Sequence, residues 1–260
     1  MVNFFTADET DSIQPKEIQM ATKIATLVLS SVFLMASGPV GLAQDNARKV
    51  QKQQEYRIVS LDLQFSKKGG DVLEGALSLL FGADPNGYAT GFIVGDGLVM
   101  TAYHVVSGEL SEAKKINLGF KADDQLEVRV FVKGCRATVI KINKEADLAL
   151  LETCHRRQAN APAFQAEPKK DENLVLLARP HGNKMVSRGR LFGSYIFRGQ
   201  EYWSAKIDSH DGYSGSPVYN QQSELIGVFT GYDRVQDVAL ISPAAKAQKL
   251  LADYMSSAKP

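Results

Sequence analysis

The feature that most limits how this chain folds is a succession of short β-rich runs that begins at Tyr88 and continues to Ile241. Segments 90–94, 98–101, 115–120, 127–132, 137–142 and 148–152, and then 174–178, 185–196, 202–207, 217–220, 224–230 and 238–241, are apolar and β-branched, with Gly and polar residues between them. Many short strands at regular spacing bury their apolar faces by closing into barrels or stacking as a sandwich, so an all-β domain is expected. Pro243 then opens a stretch rich in Ala, Leu and Lys that runs to Tyr254, the pattern of a C-terminal helix. With 260 residues, 44% of them hydrophobic, the chain can bury one sizeable core or two small barrels that share an interface.

Before Tyr88 the pattern differs. Residues 56–65 alternate enough for a strand, and Val72, Leu73, Ala76, Leu77 and Leu80 give 71–81 helical spacing. The Gly82 to Gly87 stretch breaks the chain, and 44–54 is polar without apolar periodicity. Residues 44–87 therefore read as a flexible linker and N-terminal extension and 88–260 as the main domain, with three roles left open for 56–81: completing that domain's first barrel, covering its cleft or binding a partner. Further upstream, Lys23 precedes an apolar stretch from Ile24 to Met35, followed by Ser37, Gly38, Pro39, Gly41 and Leu42-Ala43. Charge, apolar core and small residues in that order are the layout of an export signal, so residues 1–43 are expected to be a signal region cleaved after Ala43. Asp8, Glu9, Asp11 and Glu17 have the wrong charge for its leading end, which makes Met20 an alternative start. The apolar core is too short to span hydrocarbon, so an exported protein, periplasmic or secreted, is expected rather than a stable membrane anchor.

Thirty basic residues stand against 29 acidic ones, a net charge of +1, which leaves no broad footprint for nucleic acid or an anionic membrane. The only two cysteines are Cys135 and Cys154. A hairpin that turned at Asn143 to Ala146 would set them opposite each other, so they are either a disulfide or two buried free thiols. Neither has the Cys/His spacing of a zinc site.

Three segments carry chemistry, in the order His, Asp, Ser. An apolar hairpin with a Gly95-Asp96-Gly97 turn leads to Thr101-Ala102-Tyr103-His104-Val105-Val106, and a base at the end of a packed strand has a fixed position. In Ala146-Asp147-Leu148-Ala149-Leu150-Leu151 one carboxylate opens an otherwise apolar strand, where it needs hydrogen-bond partners such as a histidine NH. In Gly212-Tyr213-Ser214-Gly215-Ser216-Pro217 glycines flank Ser214, which allows a tight turn that exposes the hydroxyl and aims backbone amides at one point. His155, His181 and His210 read as strand-end, turn and loop residues.

On these three motifs, with weaker support from Arg179-Pro180-His181-Gly182, the sequence from about residue 88 to 254 resembles the trypsin-like serine peptidases, particularly their bacterial HtrA and glutamyl-endopeptidase branches, without room for an appended PDZ domain. The resemblance implies two six-stranded antiparallel barrels of the chymotrypsin type with the active site between them. It implies Ser214 as nucleophile, His104 as base, Asp147 as the base's orienter, and the amides of Gly212 and Ser214 as the oxyanion hole of an endopeptidase acting on protein or peptide substrates. The chemistry calls for no metal or cofactor. By the same alignment Thr230 falls near the catalytic aspartate, Gly231 and Tyr232 belong to the edge that pairs with substrate backbone, and Asp208, six residues before Ser214, falls at the pocket floor, implying a preference for Arg or Lys. Tyr213 departs from the Asp or Asn usual at its position, and the alternative it raises is a catalytically impaired homologue that binds a peptide or protein. Oligomeric state is not legible.

Overall fold

The computed structural model describes residues 39–69, 86–156 and 159–257. The chain divides into two compact units, 1–45 and 46–260, and the account below concerns the second. The part of the expected signal region up to residue 38 and the helix predicted at 71–81 lie outside the described residues.

Two closed barrels, each of six strands, make up the fold. In the first, β1 (Ile58–Lys67), β2 (Gly87–Gly95), β3 (Leu98–Ala102), β4 (Leu126–Val132), β5 (Cys135–Asn143) and β6 (Leu148–Glu152) close in the order β1-β2-β3-β6-β5-β4. In the second, β7 (Asn173–Ala178), β8 (Met185–Phe197), β9 (Gln200–Ile207), β10 (Pro217–Tyr219), β11 (Leu225–Asp233) and β12 (Val238–Pro243) close in the order β10-β11-β12-β9-β8-β7. The pairings between them are antiparallel. The helices are α1 (Pro39–Gln54), α2 (Tyr103–Val106), α3 (Glu112–Asn117) and α4 (Ala244–Ser257). Closure leaves the barrels without open sheet edges.

Three sequence expectations are corrected. The barrel domain does not begin at 88: β1 pairs with β2 on one side and β4 on the other, so without it the first barrel stays open. Its alternation puts Leu61, Leu63 and Phe65 inside. The linker expected at 44–54 is helical, as part of α1, with Ala47 and Val50 three residues apart on one buried face. Ser223 secures it, its hydroxyl donating to Gln53 and its carbonyl accepting from Gln54 at 3.4 Å. Two apolar residues among so many polar ones are too sparse a stripe to read in sequence. Finally, the strand expected at 115–120 is α3 and the turn after it. Ser111 caps that helix by accepting from the Lys114 amide, Leu118 and Phe120 pack on the first barrel, and Ile116 is left exposed.

The core has three parts. One cluster fills each barrel, and the third lies between them, where Phe92, Met100 and Leu148 of the first barrel meet Val175, Tyr219 and Val228 of the second. Ala244, Ala247, Leu250 and Leu251 of α4 join this shared cluster, at the helical spacing that places them on one face. Each large side chain buried there stabilises by about 1.5–3 kcal/mol, which holds the barrels against each other rather than on a loose tether.

Cys135 and Cys154 form a disulfide, with their Cα atoms 6.2 Å apart. The β5–β6 register pairs Val139 with Leu151 and Lys141 with Leu150, so a bulge at this point moves the pairing one residue from that of an unbroken hairpin. The bond closes the open end of the hairpin whose turn carries Asp147. With the cysteines 19 positions apart in the sequence, replacing both by Ser is expected to cost about 3 kcal/mol, and a thermal melt of the double variant beside the oxidised parent would read it. An unchanged Tm would mean that the hairpin is already fully held by its ladder.

Candidate active site

The three motifs lie where strands meet turns or loops at the seam between the barrels. β3 runs without a loop into α2, which places His104 at the rim of the first barrel. Asp147 sits in the β5–β6 turn, where Asn143 Oδ1 accepts from the Ala146 amide and Asp147 itself adopts a left-handed φ of 51°. Its carbonyl accepts from the Tyr103 amide at 3.0 Å, which ties the turn to the base of α2. Ser214 lies in the loop between β9 and β10. The Gly215 amide donates to Phe229 O and the Ser216 amide to Tyr213 O, so the turn is closed on both sides.

The side chains then meet. His104 Nδ1 is 2.7 Å from Asp147 Oδ2, the His104 amide donates to Asp147 Oδ1 at 2.8 Å, and His104 Nε2 is 2.9 Å from Ser214 Oγ. A carboxylate only accepts, so the ring proton sits on Nδ1 and Nε2 is left to accept from the Ser214 hydroxyl. The His104 side chain is 41% exposed and that of Asp147 only 19%, so the imidazole is open to solvent while its partner is shielded. Burial first, and then the charge of Asp147, holds the Tyr202 phenol above its usual range.

Two glycines make the Ser214 loop possible. Gly212 (φ 84°) packs on the Tyr88 ring and Pro180, and Gly215 (φ 84°) lies so close to the Thr101 hydroxyl and Thr90 carbonyl that a Cβ at either site would collide. Both also require the left-handed backbone that side chains disfavour. Among the described residues, the Gly212 and Ser214 amides donate to no backbone carbonyl.

An open cleft of about 1040 Å³ runs over this seam and includes His104, Ser214, Gly212, Asp208, Gly231 and Tyr232. Of the residues expected to bind substrate, only Thr230 is displaced. It is the extra residue of a bulge in β11, between Phe229 opposite Ile241 and Gly231 opposite Leu240, and its buried hydroxyl donates to Leu240 O at 3.3 Å. Asp208 is exposed in the cleft, which Arg234 also lines. The Tyr232 hydroxyl donates to Asp237, which also pairs with Lys206; Lys206 first, then Tyr232, holds the Asp237 carboxyl below its ordinary range. Tyr213 does not line the cleft: its ring is buried in the core of the second barrel, edge-on to His210. Of the other histidines, His210 is exposed at the cleft, His181 packs against the Tyr88 ring at a tilt of 41°, and His155 Nε2 lies 3.0 Å from Val132 O.

Sequence reasoning missed Thr90, which bonds across the seam to the Ser214 loop, and the apolar lining of the cleft, to which Leu63, Phe65, Leu110 and Leu118 contribute. Nothing local marks any of them, because their roles depend on contacts between segments far apart in the chain.

Paired antiparallel barrels with a cleft along their seam and a Ser–His–Asp array at its base define the chymotrypsin-type architecture. Residues 89–228, more than half of the chain, match the family described as the trypsin-like peptidase domain, and the chain belongs to that family. Glutamyl endopeptidase from Staphylococcus epidermidis is 24% identical over 167 residues, which span 60% of this chain and 59% of the relative. Among solved structures, the Rv3671c protease from M. tuberculosis in its active form superposes with a TM-score of 0.55 at 21% identity, covering 78% of this chain and 82% of the other. Deg5 superposes at 0.54 with 15% identity, covering 79% and 92%. At these identities the structural likenesses speak to the fold.

Proposed function

We propose that the protein is a serine endopeptidase that hydrolyses peptide bonds through an acyl-enzyme, with Ser214, His104 and Asp147 as its triad. The observation that carries this reading is the unbroken chain of contacts from Asp147 Oδ2 through His104 to Ser214 Oγ, at 2.7 and 2.9 Å, open to a cleft of about 1040 Å³. Ser214 Oγ attacks the scissile carbonyl as its proton passes to His104 Nε2. The imidazolium is stabilised by Asp147 and then protonates the departing amine. Water, deprotonated by the same histidine, releases the acid and regenerates Ser214. The oxyanion is received by the amides of Gly212 and Ser214, each such donor contributing about 2.7–4 kcal/mol to the barrier reduction. Burial of the Tyr213 ring away from the cleft favours this reading over an impaired binding homologue, since the departure at 213 obstructs neither nucleophile nor substrate.

The test is labelling with a fluorophosphonate probe together with casein hydrolysis. Stoichiometric labelling and cleavage are expected; a folded protein that does neither ends the reading. Action outside the cytoplasm, after removal of the N-terminal segment, is the setting in keeping with the signal-like sequence and the disulfide. Among the described residues, no helix is long and apolar enough to cross a membrane.

Asp208 is the proposed determinant of a preference for Arg or Lys at the residue preceding the scissile bond, by charge pairing within the cleft. Arg and Lys reporters should then be cleaved faster than Glu, Phe or Ala reporters, and Asp208→Asn should narrow the gap by about tenfold. Equal rates for the parent on all five would remove this role, leaving the Tyr232 ring, tethered by Asp237, to shape the pocket.

A further inference from the structure

We propose that Thr90, a buried residue of β2 in the first barrel, is the positioning residue that presets the oxyanion hole in the second. The inference rests on the serine-peptidase reading above. All three polar groups of Thr90 are engaged and none of the residue is exposed to solvent. Its hydroxyl donates to Gly212 O at 2.8 Å and accepts from the Arg179 amide at 3.0 Å. Its amide donates to Ser214 O at 3.0 Å, and its carbonyl accepts from the Thr101 hydroxyl at 2.8 Å.

The two carbonyls that Thr90 holds therefore belong to the two residues whose amides are to receive the oxyanion. A carbonyl shares its plane with the next amide, so pinning Gly212 O fixes the peptide group from 212 to 213, and pinning Ser214 O fixes that from 214 to 215. The peptide group that carries the Ser214 N–H lies between these two anchors. The Gly212 N–H adjoins the first anchor, at a residue with no side chain to restrain it and a left-handed φ of 84°. Without the hydroxyl, this glycine is the point where the loop turns most freely. Preorganised donors accelerate because they need no reorganisation as charge develops, and a tether that removes such freedom acts on the transition state more than on substrate binding.

The same residue connects the loop to the base. Thr101, bonded to the Thr90 carbonyl, lies on β3 three residues before His104, and Arg179, bonded to the Thr90 hydroxyl, opens the turn whose Pro180 packs on Gly212. Thr90 thus sets the nucleophile loop in register with the barrel that carries the histidine.

Thr90→Val preserves shape, branching and the backbone bond to Ser214, and removes only the hydroxyl. It is expected to lower kcat by about 10- to 100-fold on a peptide reporter with KM within about twofold. The rate of fluorophosphonate labelling should fall in parallel, since that adduct also places an oxygen in the hole. Thr90→Ser, which keeps the hydroxyl but loses a methyl, should recover activity to within a few-fold of the parent. The pH midpoint of kcat/KM should stay the same in both, because His104 and Asp147 are untouched. Thr90→Cys, with a thiol that is a weak donor, should fall between Ser and the parent on one side and Val on the other, and keeps the comparison informative where Val impairs folding. A fully active Thr90→Val, a Thr90→Ser as impaired as Val, or a Cys variant equal to Ser overturns the proposal while leaving the peptidase intact. A parent protein that neither labels nor cleaves overturns the serine-peptidase reading and this proposal with it.

Discussion

Ser214→Ala is expected to fold as the parent does and to lose peptide hydrolysis by on the order of 10⁶-fold in kcat. The substitution removes one oxygen from a half-buried position at the cleft. The loop's own restraints, the Gly215 and Ser216 amide bonds and the Thr90 amide to Ser214 O, are backbone contacts that alanine keeps. A melt of the variant should therefore match the parent within a degree or two, while labelling by the phosphonate disappears. The residual rate over water would come from substrate positioning and the oxyanion donors alone. Alanine at 214 that retained a tenth of the parent's turnover would place the nucleophile elsewhere.

Asp147→Asn should cost on the order of 10⁴-fold in kcat with little change in KM. The aspartate performs two tasks with two oxygens: Oδ1 accepts from the His104 amide and Oδ2 from Nδ1. An asparagine can keep one acceptor, and the backbone bond would retain it. Its NH₂ then faces Nδ1, which has to accept, so the ring proton moves to Nε2. In that tautomer Nε2 donates to Ser214 Oγ instead of taking its proton, and the imidazolium that forms later has no counter-charge. Labelling by the phosphonate should slow with peptide hydrolysis, because both need an activated hydroxyl. If the variant lay within tenfold of the parent, the tautomer of His104 would be set by something other than Asp147.

The residues these predictions act on were legible in the chain itself. Each lies in a short motif with its own strand context, and the structure brings the three within direct hydrogen-bond reach of one another. Asp208, Gly231 and Tyr232 line the cleft. Thr230 does not: it is the extra residue of a bulge and its hydroxyl donates to Leu240 O, and no sequence pattern announces where a bulge falls. Thr90 escaped notice for a different reason. Its partners Arg179 and Gly212 are 89 and 122 residues away, and a threonine in a β-run is unremarkable until two barrels are set against each other.

By itself the sequence determined the all-β character, the C-terminal helix and the three chemical motifs, since these depend on alternation, turn residues and side-chain chemistry within short windows. Tertiary structure alone decided that β1 completes the first barrel, that α1 packs on the core through Ala47 and Val50, that 115–120 joins a capped helix and its turn, and that Cys135 and Cys154 bond across a bulged hairpin. Barrel closure is the physical reason. A strand or a sparsely apolar helix gains its stability from partners supplied by distant chain, and those partners exist only once the two barrels have closed and met.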